Sequence, residues 1–310
     1  MVGEPIRIVV AADDGYAFPL AASVRSIVDN AHQDRPLEVV ILSCGISAES
    51  KRRLSASWDT GPNCLIRFLD VDVNSLSAWP TSSSLLSHPT SATYARLLLP
   101  QLLPESWSKV IYLDADTITL SSFDALWELD LGGLAVGAVI DPFNPLIGSP
   151  RGVQCWEEVG LDPDAPYFNA GMLVINLDVW RRERVAARAL AYVESHADCI
   201  GLLDQEALNA IVNGEFLAVD ESWNMMDVRY ADSHPAAGGA TPPPVSEAAL
   251  RHPRVRHFTG KRKPWKTGYR NSDSVDLFFS YADRTQWAGS RAGRELSQGP
   301  VPHDRKTAKK

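Results

Sequence analysis

Two carboxylates two residues apart, Asp114 and Asp116, follow directly on the apolar run Val110-Ile111-Tyr112-Leu113. On an extended chain, residues i and i+2 point to one side, so the pair can converge. Like charges that close repel unless a cation lies between them. Hard carboxylate oxygens suit Mg²⁺ or Mn²⁺. The same two acids also fit a solvated turn, which needs no ion. Thr117 completes an Asp-x-Asp-x-Thr string, which would equally serve a phosphatase of the haloacid-dehalogenase type with Asp114 as nucleophile.

The elements around the pair must place it. A continuous apolar run such as 110–113 reads as a strand buried on both faces. Ligands of open α/β sheets gather past the carboxyl ends of such strands. Residues 6–12 form a first buried strand, ending at Asp13-Asp14-Gly15. A helix then begins near 16–19, with Leu20, Val24, Ile27, Val28 and Ala31 on one face. Strand, acidic glycine turn and helix open a nucleotide-binding unit. Neither Gly-x-Gly-x-x-Gly nor a Gly-Lys-Ser/Thr loop is present, which argues against a dinucleotide or P-loop site. Helix capping is the plain alternative for Asp13 and Asp14.

Further strands are expected over 37–42, 65–71, 134–140 and 172–176. Helices are expected over 47–58 with Ser47 as cap, 93–103 with Arg96, and 178–197 with Val185, Ala189, Tyr192 and Val193 inward. Another opens at Asp204-Gln205-Glu206 and buries Ala207, Leu208, Ile211 and Val212, with Asp204 a candidate cap. This alternation predicts a mainly parallel sheet flanked by helices. Residues 167–171 read as a tight turn. The Pro- and Gly-rich segment 142–166, after Asp141, has the length of a lid or binding loop. Residues 75–91 read as a surface loop and 233–246 as a flexible excursion. The division expected is one domain over 1–288 and a polar, basic, disordered tail over 289–310.

With 310 residues, 45% of them hydrophobic, the chain can bury a large core. Its net charge of −8 argues against a general nucleic-acid binder. Cys44, Cys64, Cys155 and Cys199 lack Cys-x-x-Cys spacing and read as free thiols of a reducing compartment, neither a zinc site nor a disulfide frame. The apolar run at the N-terminus is too short for a signal peptide or membrane span. A cytoplasmic location is therefore expected.

Taken in order, AADDGY at 11–16, TYARL at 93–97, YLDAD at 112–116, YFNAGMLVINL at 167–177, DQEALN at 204–209 and HFTGKRKPW at 257–265 resemble family-eight retaining glycosyltransferases. These include glycogenin and the bacterial lipooligosaccharide galactosyltransferases. The resemblance spans roughly residues 6–287. It implies a Rossmann-like nucleotide-sugar transferase fold of the GT-A type and transfer of a hexose, galactose or glucose, from a UDP-sugar to a hydroxyl acceptor.

The same resemblance implies Mn²⁺, with Mg²⁺ as the alternative, on Asp114, Asp116 and His257. An imidazole beside oxygen donors tilts the choice toward Mn²⁺. It places Ala12, Asp13, Gly15, Tyr16 and Ala115 at the nucleotide. Arg96, Asp141, Asn169, Asp204 and Gln205 fall around the donor sugar. Gly260 and Lys263 fall at the diphosphate, where backbone N–H groups and an ammonium would neutralise the leaving group. Gly15 stands where some relatives carry Asn, so one side-chain contact to the base is lost. Asp204 and Gln205 are the candidates for a nucleophile below the sugar ring, with Asn169 beside them. Front-face attack, in which the departing phosphate takes the acceptor's proton, is the alternative. A non-catalytic sugar-nucleotide sensor on the same fold stays open. The sequence does not name the acceptor, and it gives no sign of membrane docking.

Overall fold

The computed structural model describes residues 4–58, 61–72, 91–227, 246–269 and 271–291. The expectations for 75–91, 233–246 and the tail fall almost wholly outside the described residues. Ten strands are described: β1 (Ile6–Ala12), β2 (Leu37–Ser43), β3 (Cys64–Asp70), β4 (Lys109–Asp114), β5 (Thr117–Thr119), β6 (Val136–Ile140), β7 (Phe168–Asn176), β8 (Leu217–Ala218), β9 (Met225–Met226) and β10 (Val255–His257). The helices are α1 (Ala17–Asp29), α2 (Ala48–Ser55), α3 (Leu99–Leu102), α4 (Asp124–Trp127), α5 (Leu177–Arg182), α6 (Val185–Ser195), α7 (Leu203–Val212), α8 (Glu247–Arg251) and α9 (Ser272–Ala282).

A seven-stranded sheet runs in the order β3-β2-β1-β4-β7-β6-β8. Only β7 opposes its neighbours; the pairs β3/β2, β2/β1, β1/β4 and β6/β8 are parallel. Alternate residues enter opposite layers, as a pleated strand requires. Ile111 and Leu113 join Ile8 and Val10 under α1, whereas Val110 and Tyr112 join Val9 on the other face. The inner strands β1, β2, β4 and β7 are thus covered on both sides, and that is why they lack polar alternation.

The second sheet, β5-β10-β9, decides where the site forms. β10 pairs antiparallel with β5, setting His257 opposite Thr117, and parallel with β9, setting His257 beside Met226. Helix α1 fixes β5, since Ser26 Oγ accepts the Thr119 N–H at 2.9 Å. Ile118, Phe258, Phe278 and Phe279 pack into a small core between α1 and α9.

Several expectations need correction. Residues 167–171 form no tight turn: β7 already starts at Phe168. The irregularity lies in the pairing instead, for Ala138 faces Leu173 while the next residue, Val139, faces Asn169. Residues 178–197 make two helices, broken at Arg184, whose φ is 55°. Residues 93–103 form a 3-10 helix (Ser91–Leu98) leading into the single turn α3. Within segment 142–166, read as a lid or binding loop, Leu146 and Pro166 form an antiparallel bridge. Cys155 and Cys199 are disulfide-bonded, with Cα atoms 6.5 Å apart, inside the range a bridge requires. Only Cys44 and Cys64 are free among the described residues. With one pair bridged, the cysteines do not speak for a reducing compartment. No described helix is long and apolar enough to cross a membrane.

Candidate active site

Asp114 ends β4 and Asp116 precedes β5, so both stand at the carboxyl rim of the central sheet. The β5–β10 pairing carries a residue 141 positions downstream of Asp116 to the same place. The Phe258 N–H donates to the Asp116 carbonyl at 3.0 Å. The His257 side chain then lies with Nε2 3.3 Å from Asp116 Oδ1 and 3.7 Å from Asp114 Oδ2. One ligand atom from each of the three residues lies within 4.8 Å of the others. Two carboxylates and one imidazole, all facing one point, fit a hard divalent ion with borderline character.

Cations compensate these acids. Lys263 is buried and reaches the other oxygen of Asp116, with Nζ 2.5 Å from Oδ2 and 2.6 Å from the Phe258 carbonyl. Gly260 makes the return possible, with φ at 82°, a conformation open to glycine. Burial alone would raise the Asp116 pKa, but Lys263 and His257 outweigh it and hold the carboxyl well below its usual range. Burial likewise works against the Lys263 charge, and Asp116 more than restores it.

Arg96 bridges two acids. Its Nη2 donates to Asp114 Oδ1 at 2.8 Å, and its Nε lies 2.7 Å from Asp204 Oδ2. Another guanidinium nitrogen donates to the Ala170 carbonyl, and the group lies over the Tyr112 ring, 4.4 Å from its centroid. Asp204 is no helix cap; Leu202 takes that position, and Leu203 enters α7 with φ at 48°. Burial pushes Asp204 up to about 6, against the pull of Arg96.

Beside it, amide and acid groups interlock. Gln205 Oε1 accepts from Asn169 Nδ2 at 3.1 Å and from the Ala170 N–H at 3.0 Å. Asp141 Oδ2 accepts from Asn169 Nδ2 at 3.2 Å and from Gln205 Nε2 at 3.4 Å. Burial raises the Asp141 carboxyl, opposed by these donors and by two backbone N–H groups.

The sequence profile of glycosyl transferase family 8 matches residues 7–268, which include every residue described at this rim. The chain belongs to glycosyl transferase family 8. It is similar to General stress protein A of Bacillus subtilis (strain 168), 29% identical over 92% of this chain and 95% of that protein. It is similar also to the lipopolysaccharide 1,3-galactosyltransferase of Salmonella typhimurium, 22% identical over 84% of this chain and 73% of that one. Among solved structures, the galactosyltransferase LgtC in complex with donor and acceptor sugar analogs is 30% identical. It has a TM-score of 0.72 and covers 92% of this chain and 100% of that one. The fold is accordingly that of the GT-A glycosyltransferases.

In this family 8 chain, the β1 end supplies the remaining expected residues. Asp13 does cap, since its Oδ1 accepts the Tyr16 N–H at 3.1 Å. Asp14 instead accepts the Ser47 N–H at 2.9 Å, tying the turn to α2. Tyr16 meets Trp265 edge-on, with ring centroids 6.2 Å apart, so the loop carrying Gly260 and Lys263 borders the β1 turn. Ala12 ends β1, Gly15 lies within the 3-10 turn Asp14–Tyr16, and Ala115 is buried between the two acids.

Sequence reasoning missed Asn224. It precedes β9, is buried, and accepts from the His257 ring: Nδ1 lies 2.8 Å from Asn224 Oδ1. A polar residue in the WNMM string gives little signal on its own. It missed also why residue 171 is glycine, since a Cβ there would lie 2.1 Å from His257 Cε1.

Proposed function

We propose that the chain moves a hexose, galactose or glucose, from a UDP-sugar to a hydroxyl acceptor with retention of anomeric configuration. In this reading, Asp114, Asp116 and His257 hold Mn²⁺, or Mg²⁺ in its place. The observation that carries the reading is the convergence of these three groups, with Lys263 on the far oxygen of Asp116. When bound, the ion would supply positive charge to a diphosphate leaving group.

The chain's own residues do the rest. Asp13 and Tyr16 hold the uracil, and Ala12, Gly15 and Ala115 shape its surroundings. Lys263 moves between Asp116 and the departing phosphate, aided by backbone N–H groups near Gly260. Arg96 keeps Asp114 and Asp204 oriented. Asp141, Asn169 and Asp204 hold sugar hydroxyls. The transition state has oxocarbenium character.

Neither nucleophile candidate is free. Asp204 is buried in an ion pair with Arg96, and the amide oxygen of Gln205 already accepts two N–H groups. An amide oxygen has two lone pairs, so Gln205 has none to spare for the anomeric carbon. Both observations favour front-face attack, with the leaving phosphate taking the acceptor's proton and Gln205 beside the anomeric carbon. The transferase unit would occupy residues 1–288.

A panel of UDP-hexoses with Mn²⁺, read by UDP release and by the configuration of the product, tests this. Turnover with retention is expected. Inversion would overturn the mechanism, and binding without turnover would leave a sugar-nucleotide sensor. Phosphate-ester cleavage without any UDP-sugar would restore the phosphatase.

A further inference from the structure

Backbone donors settle how three amide side chains are turned. The N–H of Gly171 donates to Asn169 Oδ1 at 3.0 Å, and a backbone N–H can only donate. Asn169 Oδ1 is therefore an acceptor, and the Asn224 atom 2.9 Å from it must be Nδ2. That turns Asn224 Oδ1 toward His257 Nδ1, 2.8 Å away. Nδ1 must then carry the proton, which leaves the Nε2 lone pair facing Asp114 and Asp116. The Ala170 N–H fixes Gln205 Oε1 in the same way, and Asn169 Nδ2 reaches that oxygen at 3.1 Å. Donors and acceptors thus run head to tail from His257 through Asn224 and Asn169 to Gln205. The two backbone N–H groups come from the stretch of β7 where pairing with β6 shifts register, a common place for strand irregularity to serve a site.

We propose that Asn224 is a positioning residue: it fixes the His257 tautomer that can ligate a metal and couples that ligand to the amides beside the donor sugar. This rests on the metal reading above. Removing such an outer partner of a ligating histidine typically weakens metal affinity by about 10–100-fold. Aspartate at 224 would still accept from Nδ1–H. It could not donate to Asn169 Oδ1, so it would break the link toward Gln205 while sparing the ligand.

Mn²⁺ titration of the full chain with UDP present, followed by the free-ion EPR signal, tests the role. Wild type is expected to take up Mn²⁺, Asn224→Ala to bind at least about tenfold more weakly, and Asn224→Asp to stay within about threefold. Asn224→Asp is also expected to lose turnover at saturating Mn²⁺, a split that a packing defect would not produce. If Asn224→Ala binds Mn²⁺ as wild type does, or Asn224→Asp weakens tenfold, the positioning role is overturned while the metal reading stands. If Asn224→Ala does not fold, the Asn224→Asp split decides alone. Wild type that binds no Mn²⁺ overturns the metal reading itself.

Discussion

A methyl group at position 171 would lie 2.1 Å from His257 Cε1 and 2.6 Å from Nδ1. Real carbon contacts do not come so close, so Gly171→Ala must displace the ring from its present position. The expected outcome is a folded protein whose Mn²⁺ affinity falls at least about tenfold, measured by metal titration; unchanged affinity would show that the ring has room to shift. Asp116→Asn removes a ligand charge and the partner of Lys263, and UDP release should fall by about 100-fold or more. Asp204 gives a pH signature. Its pKa rises from 3.8 to about 6 on folding because the carboxyl is buried. Between those values the folded chain holds a proton that the unfolded chain has released. The stability this contributes is full below the unfolded value and is lost as pH rises through about 6. Asp204→Asn should flatten that fall, by on the order of 1–3 kcal/mol, in denaturation curves recorded across pH 4 to 7.

At the scale of elements, the Arg96 segment depends on a residue far from it. Arg181 in α5 donates to the carbonyls of Pro100, Leu103, Pro104, Glu105 and Trp107 at 2.8–3.4 Å, gathering the turn that follows α3. Arg181→Ala should cost about 2 kcal/mol by orphaning those acceptors, read as a lowered denaturant midpoint. Strands were legible where burial on both faces wrote a mostly apolar run, as at Ile6–Ala12, which matches residue for residue; the buried start of β7 was not. The 167–171 expectation failed because Asn-Ala-Gly usually signals a turn. Here the glycine makes space for an imidazole from another sheet, and the strand continues through it. The break at Arg184 carried no turn signal, because Arg181-Arg182-Glu183-Arg184 is charged but holds neither Gly nor Pro. Ser26, which receives the Thr119 N–H, looks in sequence like any helical serine.

At the scale of the whole molecule, the acids at the rim were legible from their spacing. The partnership with His257 came only through resemblance. It depends on the β5–β10 register, which no local pattern encodes. The Cys155–Cys199 bridge was missed for the same reason: the two thiols lie 44 positions apart, with no motif between them. Near that bridge, Glu206 in α7 accepts the Gln154 N–H at 2.8 Å and the Gly201 N–H at 2.7 Å. Segment 142–166 is thus held once to the helix that carries Asp204 and Gln205, through Gln154, and once to the chain just before that helix, through the bridge. Closing a loop of that length stabilises by roughly 2–4 kcal/mol. Reduction, or Cys199→Ser, should lower the melting temperature; an unchanged melt would mean that the bridge adds nothing. The central claim is tested most directly by diffraction from crystals soaked with Mn²⁺ and UDP, using the anomalous signal of the ion. An anomalous peak touching Asp114, Asp116 and His257 Nε2, with the diphosphate on its open side, is the expected result. UDP seated at the rim with no ion on those three residues would contradict it.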